Sequence, residues 1–175
     1  VLPKAEAIRA ELAAAGVRVK LDASEENSPG WKYAEWEMRG VPLRLEIGPK
    51  DLEKSQVFSA RRDTREKAAI PMAELSARVP AILQEIQRGL LARAREFRES
   101  HTSEAANWAE FTAAMEGRPG FVIAAWCGSA ECEAAIKAET QATLRNIPLG
   151  SPRIQSACVR CGNPAQVRPW FAKAY

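Results

Sequence analysis

The apolar positions of this chain change period at Gly40. Before it, Trp31, Ala34, Glu35 and Met38 recur at the spacing of one helical face, and Glu37 and Arg39 close that helix against the glycine. After it, Val41, Leu43, Leu45 and Ile47 alternate with Pro42, Arg44, Glu46 and Gly48, the period of a half-buried strand, so Arg44 and Glu46 share the face opposite the core set. Around this pair of elements, Pro3 opens a helix that runs through Ile8 and Leu12 to Gly16, and Val17 to Leu21 alternates as a strand. Residues 22–29, DASEENSP, are polar and turn-rich. A charged turn around Pro49 to Lys54 and a strand from Gln56 to Arg61 complete a pattern that fits a sheet flanked by helices.

Ile70 to Glu99 carries Leu75, Val79, Ile82, Leu83, Ile86, Leu90, Leu91 and Phe97 mostly three or four apart, which predicts a long linking helix that Pro80 kinks or restarts. A helix from Ser103 to Met115, a buried strand over Phe121 to Trp126, a helix from Glu131 to Leu144 and a closing strand over Val167 to Phe171 follow. The expected architecture is α/β: residues 1–70 form a mixed sheet flanked by helices, 71–102 a linking helix, and 103–175 a smaller α+β unit.

Composition adds limits. With 175 residues, 46% of them hydrophobic, the chain can bury one moderate core or two small ones, and two fit the pattern better. A net charge of +3 is too small for indiscriminate nucleic-acid binding, including DNA, yet the charge is uneven. From Thr140 onward there are Arg145, Arg153, Arg160, Arg168 and Lys173 and no acid at all. No run approaches the ~18 apolar residues of a membrane span, and the first residues read as an amphipathic helix, so a soluble cytoplasmic protein is expected.

Four residues separate Cys127 from Cys132 and two separate Cys158 from Cys161, with twenty-five residues between the pairs. That is metal-ligand spacing, and four sulfurs leave no position for water, so the expected ion is a structural Zn. Four ordinary reduced thiols, or a redox CxxC, are the alternatives. His101, the only histidine, lies in a polar stretch and reads as an exposed residue.

The words GWKYAEWEMRGVPLRLEIGPKD and RRDT, with TLRNIPL, CVRCGNPA and the terminal FAKAY, resemble prolyl-tRNA synthetase of the kind shared by archaea, eukaryotes and a subset of bacteria. The resemblance runs end to end. It implies the class II anticodon-binding fold followed by a zinc-binding domain. It implies one more strand before Pro3, so that the chain is a piece of a longer protein. It also implies an enzyme that joins proline to its tRNA with ATP through prolyl-adenylate, is a homodimer, and keeps ATP and Mg in a catalytic domain absent from this sequence.

The tRNA for proline then presents anticodon guanines, and the matching positions here are Glu37, Arg44, Lys50 and Asp51. Glu37 and Asp51 would accept from guanine N1 and N2, Arg44 would donate to O6 or N7 or stack, and Lys50 would serve a base or a phosphate. Residue chemistry agrees in kind, because selecting guanine calls for a carboxylate and an arginine, and a helix end, a strand and a following loop can converge on one patch. Taken singly, each could equally be an exposed ion-pair partner. Trp31 is expected in the core and Trp36 there or against a base, while Arg61 and Arg62 read as phosphate contacts or a solvated strand end. The resemblance also places Tyr175 and its carboxylate toward the aminoacylation site. A free-standing RNA-binding module of the same fold and a purely structural zinc domain are the competing functions.

Overall fold

The computed structural model describes residues 1–117 and 120–174, and the chain divides into two compact units, residues 1–92 and 93–175. The first contains α1 (Leu2–Ala14), α2 (Pro29–Met38), β1 (Leu43–Glu46), α3 (Pro49–Glu53), β2 (Gln56–Arg61) and β3 (Lys67–Pro71). A 3₁₀ turn, Met72–Glu74, leads into α4 (Leu75–Ser100), which continues into the second unit. The strands pair antiparallel in the order β1-β2-β3, with Arg44 opposite Ala60 and Val57 opposite Ile70. Ile8, Leu12, Val57, Ile70, Leu75 and Val79 form the core, so α1 and α4 cover the apolar side of this sheet.

Local chemistry sets where α2 begins and ends. The Ser28 hydroxyl accepts from the Trp31 amide at 3.4 Å, and Pro29 supplies a preset φ where no amide donor is needed. At the other end Gly40 adopts φ +90°, which lets its amide reach the Glu37 carbonyl and the Val41 amide reach the Trp36 carbonyl, both at 3.0 Å. This Schellman closure turns the chain directly into β1 and fixes Glu37 one turn from the strand that carries Arg44.

The second unit contains β4 (Thr102–Ala105), α5 (Trp108–Glu116), β5 (Phe121–Ala124), α6 (Ala130–Thr140), β6 (Ala142–Asn146), β7 (Ser156–Ala157), β8 (Pro164–Ala165) and β9 (Trp170–Lys173). Its sheet is mixed, in the order β4-β5-β9-β6, with β4 and β5 parallel and the other pairs antiparallel. Phe111 and Phe171 are fully buried and meet edge to face, 5.2 Å between ring centroids, among Val122, Ala124 and Ile136. Cys132 and Cys158 belong to the same core.

Several sequence expectations are corrected. Val17 to Leu21 has no ladder partner among the described residues and is not a strand, although Val17 and Val19 pack on the core. Residues 49–53 make a short helix because the Asp51 carboxylate accepts from the Gly48 amide at 2.9 Å. Lys67–Pro71 is a strand rather than the start of the long helix, and α4 runs unbroken past Pro80, which lies near its N-terminal end. Asn107, whose side chain accepts from Glu110 at 3.0 Å, delays α5 and frees Thr102–Ala105 to pair with β5. Gln141 at φ +63° ends α6, so Ala142–Asn146 is a strand, and the closing strand begins at Trp170, with Val167 making only a bridge to Trp126. Trp31 is 52% exposed, not core, since α2 buries no residue completely.

Truncating the fully buried ring of Phe111 to alanine should cost about 3–5 kcal/mol, read as a lower denaturant midpoint for the second unit. A loss under about 1 kcal/mol would mean that the ring is not central to that core.

Candidate functional site

Arg44 projects from β1 into a cluster of acids and one aromatic ring. Its Nη1 donates to Glu37 Oε1 at 2.8 Å, its Nε donates to Glu46 Oε1 at 2.9 Å, and its guanidinium carbon lies 3.8 Å from the centre of the Tyr33 ring. Only 18% of the Arg44 side chain is exposed. Three restraints on one planar fork therefore fix the guanidinium, and three of its five N–H groups remain available, one on Nη1 and both on Nη2. Glu37 receives a second, looser partner, with Arg65 Nη1 3.3 Å from its Oε2. Tyr33 sits one turn before Glu37 on α2; burial, then the Glu46 carboxylate, push its phenol pKa upward, which keeps the ring neutral under Arg44.

Behind this cluster, Asp22 holds α2 to the preceding loop. Its carboxylate accepts from Trp36 Nε1 at 2.8 Å and pairs with Lys32 at 3.3 Å. The Trp36 bond in particular holds the Asp22 carboxyl well below the usual carboxylate range. Trp36 is thereby anchored as a half-buried strut.

In the second unit the four predicted sulfurs converge: those of Cys127, Cys132, Cys158 and Cys161 all lie within 4.8 Å of one another. Cys132 and Cys158 are 3.6 Å apart, as are Cys127 and Cys161, far beyond a disulfide bond. Four sulfurs at about 2.3 Å from one ion stand roughly 3.8 Å apart in a tetrahedron, so the spacing fits a single divalent ion. The backbone provides the rest. Gly162 at φ +73° closes the turn after Cys161, its amide on the Cys158 carbonyl at 3.0 Å, and β7 and β8 clamp that turn as a hairpin. On the other side the Ser129 hydroxyl caps α6 by accepting from the Cys132 amide at 3.3 Å, which orients Cys132 in the first helical turn.

Burial works to raise the Cys158 thiol, but backbone groups of Cys161, Arg160 and Cys127 outweigh it and hold it at about 7, while burial pushes the Cys127 and Cys132 thiols upward. Burial thus disfavours the thiolate forms of Cys127 and Cys132, and a cation at the centre would remove that cost. These residues could hold one metal ion. Arg160 then ties the hairpin to two helices, with its Nε 3.2 Å from Glu139 and its guanidinium 5.0 Å over the Trp108 ring.

Comparison with known families assigns both units. The anticodon binding domain family matches residues 1–82, and the family described as prolyl-tRNA synthetase, C-terminal, matches residues 108–175. The chain joins an anticodon-binding domain to a prolyl-tRNA synthetase C-terminal domain. It is similar to the proline-tRNA ligase of Symbiobacterium thermophilum, 50% identical over 171 residues that make up 94% of this chain and 35% of that protein. It is also similar to the proline-tRNA ligases of Lachnospira eligens, 46% identical over 175 residues (100% of this chain, 36% of that protein), and Chlorobium phaeobacteroides, 46% identical over 183 residues (100% and 38%). The chain spans about a third of the length of the curated relatives it matches.

Within the anticodon-binding domain, Glu37 and Arg44 are in contact, whereas no described contact links Lys50 or Asp51 to them. Lys50 is exposed on α3, and Asp51 caps that helix with one carboxylate oxygen. Arg61 and Arg62 separate into different roles: Arg61 chelates Asp63 at 2.9 and 3.1 Å and reaches Glu85 at 3.4 Å, while the Arg62 side chain makes no described ion pair. Sequence reasoning did not assign Tyr33, Arg65 or Asp22. The Tyr33-to-Glu37 spacing of four on a helix was a usable signal, but Arg65 reaches Glu37 only through the β2–β3 turn.

Within the C-terminal domain, Arg168 pairs with Glu104 at 2.6 Å and Arg160 with Glu139, so part of the basic charge meets acids of the same unit. His101 stacks on Phe97, 4.1 Å between centroids, and its Nδ1 lies 2.8 Å from the Phe97 carbonyl. Tyr175 lies outside the described residues. No described helix is long and apolar enough to cross a membrane.

Two outcomes test this geometry. Arg44→Lys, which loses the fork and the ring contact, should destabilise by about 1–2 kcal/mol, against under about 0.5 for Arg39→Lys in its exposed pair with Glu35. Equal effects would remove the special status of Arg44. Metal analysis after zinc addition should find one ion per chain, lost in Cys158→Ser; retention by that variant would exclude the four-sulfur site.

Proposed function

We propose that this chain is the tRNA-selecting C-terminal portion of a cytoplasmic proline-tRNA ligase, of the kind shared by archaea, eukaryotes and a subset of bacteria. The observation that carries this reading is the paired display of Glu37 and Arg44 on an anticodon-binding domain. Side by side, the two present an acceptor and a donor. The Watson–Crick edge of guanine offers the complement, N1–H and N2–H for the carboxylate and O6 for the guanidinium, whereas adenine reverses both and would face donor with donor and acceptor with acceptor. Leaving a half-buried charge unpaired against the wrong base is the source of discrimination.

In this reading residues 1–70 read the anticodon of the proline tRNA, 71–102 link, and 103–175 form the metal-bearing lobe. The remaining Asp51 oxygen accepts from N1 and N2 of the neighbouring guanine, and Lys50 meets that base or a phosphate. The metal is Zn, held by Cys127, Cys132, Cys158 and Cys161; its chemistry there is structural, since sulfur fills every tetrahedral position. The sulfurs pin the β7–β8 hairpin to the start of α6. Proline, ATP and Mg belong to the catalytic region of a homodimeric enzyme, where prolyl-adenylate forms and the tRNA acceptor end receives proline. The contacts on this chain contribute binding and selection, not bond making.

The test is aminoacylation by the full-length protein with tRNAs in which each anticodon guanine is replaced by adenine. Wild type should lose about 1–3 kcal/mol in kcat/KM per replacement, and Glu37→Gln or Arg44→Ala should lose that discrimination at one position while proline activation by ATP is unchanged. Unchanged discrimination in both variants, or collapse of proline activation, would refute the assignment.

A further inference from the structure

Beside the Glu37–Arg44 pair lies an open hollow of about 600 Å³ that neither the sequence reading nor the proposed guanine contact uses. Its walls are apolar: Ala34 and Met38 from α2, Pro42 from the approach to β1, and Ile86 and Leu90 from α4. Ile86 is buried and closes the floor, whereas Met38 is 85% exposed and Leu90 39%, an arrangement of large apolar side chains left uncovered at a rim. The rest of the rim is charged, with Glu37, Arg62, Asp63 and Arg65. Glu37 and Arg62 also line the smaller cleft that holds Tyr33, Trp36 and Arg44, so the two cavities adjoin at these two residues.

Resting on the proposed reading of the anticodon, we propose that this hollow is a further base subsite, which takes the unstacked nucleobase flanking the one read by Glu37 and Arg44 on the side away from the guanine given to Lys50 and Asp51. A strand whose base reaches Glu37 must place each neighbouring nucleotide within one backbone step, and the hollow adjoins Glu37. The occupant's flat face rests on the Met38 thioether and the Leu90 side chain, both adaptable surfaces for a π system. Its phosphate meets Arg62, an exposed arginine with no described ion pair, while Arg61 beside it is held by Asp63 and Glu85. Charge favours a nucleotide over an apolar peptide, because both rim carboxylates, Glu37 and Asp63, already face arginines, and Arg62 has no described ion pair. With no polar side chain on that floor, the subsite contributes affinity and leaves base identity to the Glu37–Arg44 pair.

Binding of the proline tRNA to the full-length protein tests this, using intact tRNA and tRNAs with one abasic nucleotide at each anticodon-loop position in turn. Met38→Gln and Leu90→Gln should each weaken binding of intact tRNA about tenfold, within the range for loss of one base contact, and Met38→Leu should not. The penalty should vanish on a single abasic tRNA, the same one for both variants. Arg62→Gln should reduce the dependence of log K on log salt by about 0.7, the value for one phosphate on a single strand. Wild-type binding by Met38→Gln and Leu90→Gln, or an equal penalty on every abasic tRNA, would overturn the subsite. Guanine discrimination in Glu37→Gln is a separate readout: its persistence alongside the expected penalties would sink the Glu37–Arg44 reading and leave the hollow as an RNA site.

Discussion

The Arg44 guanidinium is the point at which helix α2 and the first sheet are locked together. Glu37 comes from the helix, Glu46 from the strand, and Tyr33 from the turn of helix before Glu37, so one planar cation fixes the relation of two rigid elements. Ion pairs at such partly exposed positions add little to stability, on the order of 0–1 kcal/mol each. Their value lies in preorganisation. A long side chain already immobilised in the free protein loses little further freedom when it meets a base, and each charge of this cluster has a partner while no RNA is present. Placing the fork on a strand and a helix end, rather than on a loop, holds the donor and acceptor in a fixed relation.

The second unit solves a different problem. Its core is small, with Phe111 and Phe171 at the centre, and two of the four convergent sulfurs are part of it. A metal held there would be continuous with packing: Cys132 and Cys158 would join α6 to the β7–β8 hairpin through the interior, and Cys127 and Cys161 would complete the set nearer the surface. Arg160 repeats the same connection outside the core, through Glu139 and the Trp108 ring. For a domain of this size, metal ligation would supply stability that apolar burial alone provides only sparingly.

The parts of the fold that were legible in the sequence were those written in local chemistry. Gly40 bounded α2, alternation marked β1 and β2, and cysteine spacing singled out the four sulfurs that converge. What was not legible depended on distant partners. Lys67–Pro71 is a strand because β2 offers it a ladder, and Val17–Leu21 is not one because no described backbone pairs with it, although its alternation is the cleaner. Pro80 was read as a break, yet α4 continues through it and forgoes only the bond that an amide there would make to the Ser76 carbonyl. In the site, Glu37 and Arg44 came from resemblance, and the chain's own pattern showed only that they could converge. Tyr33 under the guanidinium and Arg65 beside Glu37 are tertiary facts, one from the twist of a helix face and the other from a turn twenty-eight residues away.

The central claim is that Glu37 and Arg44 together face the edge of an anticodon base. Its most direct measurement is a structure of the full-length protein bound to the anticodon stem-loop of the proline tRNA. The expected result has a guanine edge within about 3 Å of a Glu37 oxygen and an Arg44 nitrogen, with Arg44 still on Tyr33. A bound anticodon that leaves both side chains paired only to each other, away from any base, would contradict it.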